Sequence, residues 1–356
     1  MADEDTGPIL ITGGTGFIGS YLAMRLLEKK GNEHEQVLLF DCNPDVRRLT
    51  GFKERYQKVS NRITFVQGDL SSLELVLALF EHKPKSVFHL GALLSAGADA
   101  NPTLGFQVDT LGTRHVLEAA RIYGQRQNMD PVKVVFPSTI ASFGLFIAAG
   151  QKVKNEDIQV PTTMYGVSKV TSERLGEYYQ RKGDFSKSWV DFRAVRFPSV
   201  VGAARGPGGT TVYSTLMIQQ PAQNKPYEAY VAQDTRLDII YVEDAVSALI
   251  QLHDAPKESL KRRVYNIAGI RNADGQAPQA SDIEAAVREQ KPDASITYKV
   301  NQQLSDTVRS FGVLDDSVAR EDWGWTGESF GLQKAVRAFF DDVKNYPDRI
   351  KAIELY

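Results

Sequence analysis

Short apolar runs that stop at glycine alternate with stripes of helical period along the first two-thirds of the chain. The run PILIT at 8–12 ends in GGTG, and FIGSYLAMRLLEKKG then sets Ile18, Leu22, Leu26 and Leu27 on one face before Gly31. A continuous apolar run followed by a period near 3.6 predicts a buried strand feeding a helix. The alternation recurs. QVLLFD at 36–41, ITFVQGD at 63–69, SVFHLGA at 86–92 and KVVFPST at 133–139 read as strands, with SLELVLALFEHK and TLGTRHVLEAARIYG as helices among them. A helix from about Met164 to Lys182 precedes a sixth strand, DFRAVRFPSV at 191–200. Strands alternating with helices predict an α/β, doubly wound parallel sheet.

The pattern then changes. GAARGPGGTT at 202–211 is a glycine-rich loop and QPAQNKPYEAYVAQ at 220–233 reads as irregular. LDIIYVEDAVSALIQLHDA and RRVYNIAG restore the earlier alternation. The expected organisation is a dinucleotide-binding domain at 1–199, a smaller, mainly C-terminal substrate lobe at 200–236 and 270–356, and a return to the first domain at 237–269. A length of 356 residues suits one large domain with a smaller lobe.

Composition narrows the function. A formal net charge of −2 offers no basic face for phosphate neutralisation, so no nucleic-acid partner is expected. The single cysteine, Cys42, excludes an internal disulfide and suits a reducing compartment. The five histidines lack ligand spacing, so no metal site is expected. MADEDTGP at the N-terminus is acidic, with neither the apolar stretch of a secretory leader nor the arginines of a transit peptide. No apolar run approaches the roughly 20 residues of a membrane span. A cytoplasmic protein acting on a small molecule is the expectation.

Gly13, Gly16 and Gly19 stand between a predicted strand and a predicted helix. Glycines at this spacing permit a tight turn, backbone approach to a pyrophosphate and close helix–strand packing, and the helix N-terminus offers free N–H groups. Asp41 ends the second strand about 22 residues beyond Gly19, where a carboxylate accepts the ribose hydroxyls of adenosine and repels a 2′-phosphate. NAD is therefore the expected cofactor. Asp69, after FVQG, is placed to meet the adenine. Further along, TMYGVSKV sets Tyr165 and Lys169 four apart on a helix. A free phenol is a poor base, with a pKa near 10. An ammonium one turn away and an oxidised nicotinamide ring would make it acidic enough to accept an alcohol proton. FPSTIASFG places Ser138 and Thr139 at a strand end to hold the substrate oxygen.

TGGTGFIG, GDL at 68–70, FHLGA at 88–92, STIASFG at 138–144, YGVSK at 165–169 and RFPSVVG at 196–202 together resemble the extended short-chain dehydrogenase/reductases, the class of nucleotide-sugar epimerases and dehydratases. The resemblance implies a Rossmann-type domain. It makes Tyr165 the proton acceptor, Thr139 the residue that orients the substrate hydroxyl with Ser138 beside it, and Lys169 the holder of the nicotinamide ribose. Phe17, Ile18, Leu70, Leu90, Gly91 and Ala92 would line the cofactor, and Phe197 to Val200 its nicotinamide end. Two departures stand out. Asp109 occupies a position where many members carry Asn, and Ser199 replaces the usual glycine after Pro198.

GALLSAGADANP at 91–102, GPGGTTVYS at 206–214, DTRLDIIYVEDA at 234–245 and LDDSVAREDWGW at 314–325 are similar to the short-chain type of L-threonine 3-dehydrogenase. That similarity assigns Ser95, Gly209 and Thr210 to the substrate, with Thr139 and Tyr165. The Asp-Ser-Trp-Pro run of those enzymes is replaced by VRSFGVL, which brings Arg309 forward as a bidentate partner for a carboxylate. FHLGALLSAGAD, QQPAQNKP and DTR also resemble erythronate dehydrogenases, and Arg205 and Arg236 are further candidate anion ligands. The leading expectation is oxidation of a β-hydroxy amino acid or hydroxy acid. A nucleotide-sugar epimerase or dehydratase with retained NAD, and a non-catalytic NAD-binding regulator, are the alternatives. The resemblance further implies a homodimer through the helices around 104–123 and 164–182.

Overall fold

Among the described residues, thirteen strands in chain order are β1 (Ile9–Thr12), β2 (Val37–Asp41), β3 (Ile63–Gln67), β4 (Ser86–His89), β5 (Lys133–Thr139), β6 (Lys152–Val153), β7 (Asp191–Phe197), β8 (Ser199–Val201), β9 (Tyr227–Ala229), β10 (Ile239–Tyr241), β11 (Val264–Asn266), β12 (Ile296–Tyr298) and β13 (Val313–Leu314). They are seen in a computed structural model that describes residues 7–127, 130–144, 147, 148, 150–181, 188–327 and 329–353. The acidic N-terminal stretch at 1–6 and the expected helix end at Lys182 lie outside the described residues. Seven strands make one sheet in the order β11-β7-β5-β4-β1-β2-β3, with every pairing parallel. The chain is thus an α/β protein with a Rossmann-type, doubly wound parallel sheet.

The side-chain period of a strand divides each core strand between two layers. Ile9, Ile11 and Leu39 point into one buried cluster, and Leu10, Leu38 and Phe40 into the other. The first cluster runs without a break from β1 through Tyr213, Met217 and Val287 to Phe339, so one core serves both parts of the chain. The strand order reverses between β1 and β4, where an open parallel sheet forms its ligand crevice.

Outside the large sheet, β8 pairs with β10, β9 with β12 and β6 with β13, all parallel. The segment read as irregular from 220 instead begins with the end of a helix, Tyr213–Ala222, and contains β9. Pro221 falls in the last turn of that helix, where it lacks the N–H that would pair with the Met217 carbonyl and so helps to end the helix. The helix Met164–Arg181 packs so closely on β7 that a Cβ at Gly176 would stand 2.3 Å from the Phe192 ring. No helix among the described residues is long and apolar enough to cross a membrane.

Candidate active site

The first helix begins at Gly16, which caps it without a side-chain hydrogen bond and with no acid in the first turn. Its leading N–H groups therefore remain available, with the positive end of the helix dipole behind them. Gly13 adopts φ 68°, and a Cβ there would lie 2.7 Å from the Gly91 backbone nitrogen. Only a glycine lets β1 and the end of β4 approach this closely. The cradle is held from behind by a buried chain of hydrogen bonds. Gly91 N–H donates to Thr12 Oγ1 (3.2 Å), Thr12 pairs with His89 Nδ1 (2.7 Å), and His89 Nε2 pairs with Thr113 Oγ1 (3.0 Å). Thr113 donates in turn to the Asp109 carbonyl (2.6 Å), which makes His89 a neutral imidazole donating from Nε2. Burial, with the Lys169 charge adding, pushes His89 down to about 3.

This turn opens on a cleft of about 580 Å³ along the C-terminal edge of the sheet. Gly13, Gly16, Phe17, Ile18, Gly19, Asp41, Asp69, Leu70, Leu90, Gly91, Ala92, Phe197 and Val200 line one part of it. Ser95, Ser138, Thr139, Tyr165, Lys169, Gly209 and Thr210 line the rest. Asp41 accepts from the Thr15 and Asn43 backbone N–H groups, at 3.1 Å each, which aims its carboxylate beside the glycine turn. A glycine cradle, free helix N–H groups and a strand-end carboxylate form a donor and acceptor set that fits an adenine dinucleotide.

Thr139 closes β5, and its Oγ1 accepts from Ala141 N–H (3.2 Å) and shares a hydrogen bond with the Tyr165 phenol. Lys169 is buried and donates to the Pro137 carbonyl (2.9 Å), with its ammonium 5.4 Å from the Tyr165 ring centre. Removal from water lowers Lys169 to about 8, against the opposing charges of Asp109 and Glu173. The same loss of water holds the Tyr165 phenol well above its ordinary range, helped by the Asp109 charge; Arg205 and the Thr139 hydrogen bond act the other way. The cation that favours the phenolate here is thus Arg205, where the sequence pointed to Lys169. Ser138 is buried and gives its hydroxyl hydrogen to Glu173, which also takes both forks of Arg196 at 2.9 and 2.8 Å. Its donor is therefore committed to the helix anchor and not to a ligand.

Arg309 does not reach the cleft. The helix Gln302–Arg309 buries Val308 and turns Arg309 outward, where Asp234 pairs with it at the surface. From the same stretch it is Phe311 that lines the cleft. The arginine in the substrate part of the cleft is Arg205, held by Thr215 Oγ1 (3.1 Å), Ser199 Oγ (3.3 Å) and Thr211 Oγ1 (3.4 Å), and lowered to about 10 by its withdrawal from water. The departure at Ser199 thereby acquires a partner. A Cβ at Gly209, φ 104°, would stand 3.5 Å from Arg205 Nη2 and 3.9 Å from Ser95 Oγ, so these groups flank one gap. Arg236 lies elsewhere, donating to the Ala277 carbonyl (2.6 Å). Arg48, adjoining the cofactor part, also lines the cleft. Of the candidate anion ligands read from the sequence, Arg205 lines the cleft, whereas Arg236 and Arg309 do not. Among the described residues, no three His, Cys, Asp or Glu side chains gather as a metal site.

Residues 9–268 match the family described as NAD dependent epimerase/dehydratase. The mitochondrial L-threonine 3-dehydrogenase of Bos taurus is 32% identical over 341 residues, which is 94% of this chain and 82% of that protein. The holo form of a GalE-like L-threonine dehydrogenase from Cupriavidus necator superposes with a TM-score of 0.79 at 30% identity, covering 94% of this chain and 99% of the other. A monomeric L-threonine 3-dehydrogenase from a metagenome gives a TM-score of 0.77 at 28% identity, with 97% and 99% covered.

Proposed function

The chain belongs to the NAD dependent epimerase/dehydratase family, and from that premise we propose that it is an NAD-dependent dehydrogenase that oxidises the secondary alcohol of a small hydroxy acid or β-hydroxy amino acid. NAD, when bound, supplies the hydride acceptor. Tyr165 Oη takes the hydroxyl proton, Thr139 orients that hydroxyl, and Lys169 holds the cofactor ribose. Arg205, Ser95 and Thr210 take the substrate carboxylate, for which a guanidinium and hydroxyl donors are suited. The observation that carries this reading is the Arg205–Gly209–Ser95 gap opening into the same cleft as Tyr165. A similar protein named L-threonine 3-dehydrogenase makes L-threonine the first substrate to try.

We further assign residues 1–199 and 237–269 to cofactor binding, and 200–236 with 270–356 to substrate binding. The reducing compartment suited to a single cysteine is taken to be the cytoplasm. Phe106, Val167 and Tyr178, exposed on the two helical stretches at 102–127 and 164–181, supply apolar surface for a homodimer. Light scattering on the purified protein tests this, and the mass of a single chain would refute it.

The central test is absorbance at 340 nm with NAD and a panel of threonine, serine, erythronate and related acids. NADH formation with one of them is the expected result. Conversion of a nucleotide sugar without net NADH would make the protein an epimerase instead, and cofactor binding without turnover of any substrate would make it a regulator.

A further inference from the structure

The helix Met164–Arg181 faces a π-helical turn at Phe106–Leu111, and that turn carries Asp109. A π turn widens the backbone locally and is often kept where it re-aims a side chain. Three features hold Asp109 rigidly. Its carbonyl accepts from Thr113 (2.6 Å) and Ser172 (3.2 Å), and its Oδ1 accepts from Leu93 N–H (2.7 Å). The residue is 3% exposed, and its Oδ2 is buried without a hydrogen-bond partner among the described residues. A buried carboxylate oxygen left open is costly unless a nearby charge compensates it.

The charged and titratable groups around it are few. Lys169 and Tyr165 on the facing helix both feel the Asp109 charge. Glu173, one turn beyond Lys169, is occupied by Arg196, Ser138 and Gln159. Arg205 lies on the substrate side, and His89 behind the turn is neutral. Glu173 also acts on Lys169 but is paired with Arg196, which leaves Asp109 as the larger opposing charge. We propose that Asp109 is a positioning residue for proton transfer: its carboxylate keeps Lys169 protonated in the buried site and holds back ionisation of Tyr165. Burial places the Asp109 carboxyl at about 6, so the counter-charge is present above that pH and lost below it. This rests on the acid–base roles assigned above to Tyr165 and Lys169.

Asp109→Asn tests it, because the amide oxygen still serves Leu93 N–H and Asn is common at this position in the wider class. Tyrosinate absorbance at 295 nm, read on the NAD-bound protein with Tyr165→Phe subtracted, follows the phenol without any turnover. The midpoint is expected about one pH unit lower in Asp109→Asn than in the native protein, because a nearby negative charge disfavours the phenolate. The high-pH limb of kcat should move down as well, since Lys169 loses a charge that favours its ammonium. An unmoved Tyr165 midpoint would reduce Asp109 to a support for Leu93 and overturn the proposal. Asp109→Ser repeats the comparison should the first variant not fold. Absence of NADH from every substrate, with the 295 nm shift intact, would count against the dehydrogenase reading alone.

Discussion

Tyr165 is the residue on which the chemistry turns, and removing one oxygen from it isolates that role. Tyr165→Phe keeps the ring in the cleft wall and deletes the proton acceptor. Turnover should fall by at least about 100-fold, while NAD affinity, measured by calorimetry, stays within a small factor of the native value. Comparable turnover would remove Tyr165 from the mechanism. The two arginines provide a paired test. Arg205→Ala should raise KM for a carboxylate substrate by at least about 10-fold, the worth of a charge-assisted hydrogen bond. Arg309→Ala should leave it unchanged, because Arg309 pairs with Asp234 at the surface. The reverse ranking in steady-state kinetics would return Arg309 to the site. These two residues also mark where sequence reading stops. Tyr165, Lys169, Thr139 and the glycine turn are legible because each sits in a contiguous motif at a strand end or helix start. Which of several distant arginines enters a cleft depends on the packing of separate segments, and local pattern carries no record of that.

At the scale of elements, β1 to β4 are readable because each is a largely apolar run closed by glycine or a strand-end acid. The strands β6, β8, β9, β12 and β13 have two or three residues each, too few for any period, and their partners come from far along the chain. The helix Met164–Arg181 is where an element and the site meet. It carries Tyr165 and Lys169 at one end, and is fixed by the Glu173–Arg196 pair and by Gly176 against Phe192. Gly176→Ala adds a methyl where none fits. The gain in helix propensity is about 1 kcal/mol, but overpacking costs about 1–3 kcal/mol and displaces the helix. Net destabilisation in urea, with kcat falling more than KM for NAD rises, is the expected outcome. A more stable variant with native kcat would mean that the helix can slide on β7 without harm.

For the whole molecule, a single buried cluster joins the sheet, the segment 201–250 and the helices beyond 280. Loss of activity and loss of tryptophan fluorescence in urea should therefore share one midpoint, since Trp323 and Trp325 pack with the residues that back the cleft. Two separated midpoints would show that the substrate side melts independently. Among the described residues, the same continuity leaves no seam at which the smaller part can swing away like a door. The stretch 206–209, three of whose four residues are glycine, lines the cleft; side chains placed there are expected to slow substrate entry and exit before they touch the chemistry.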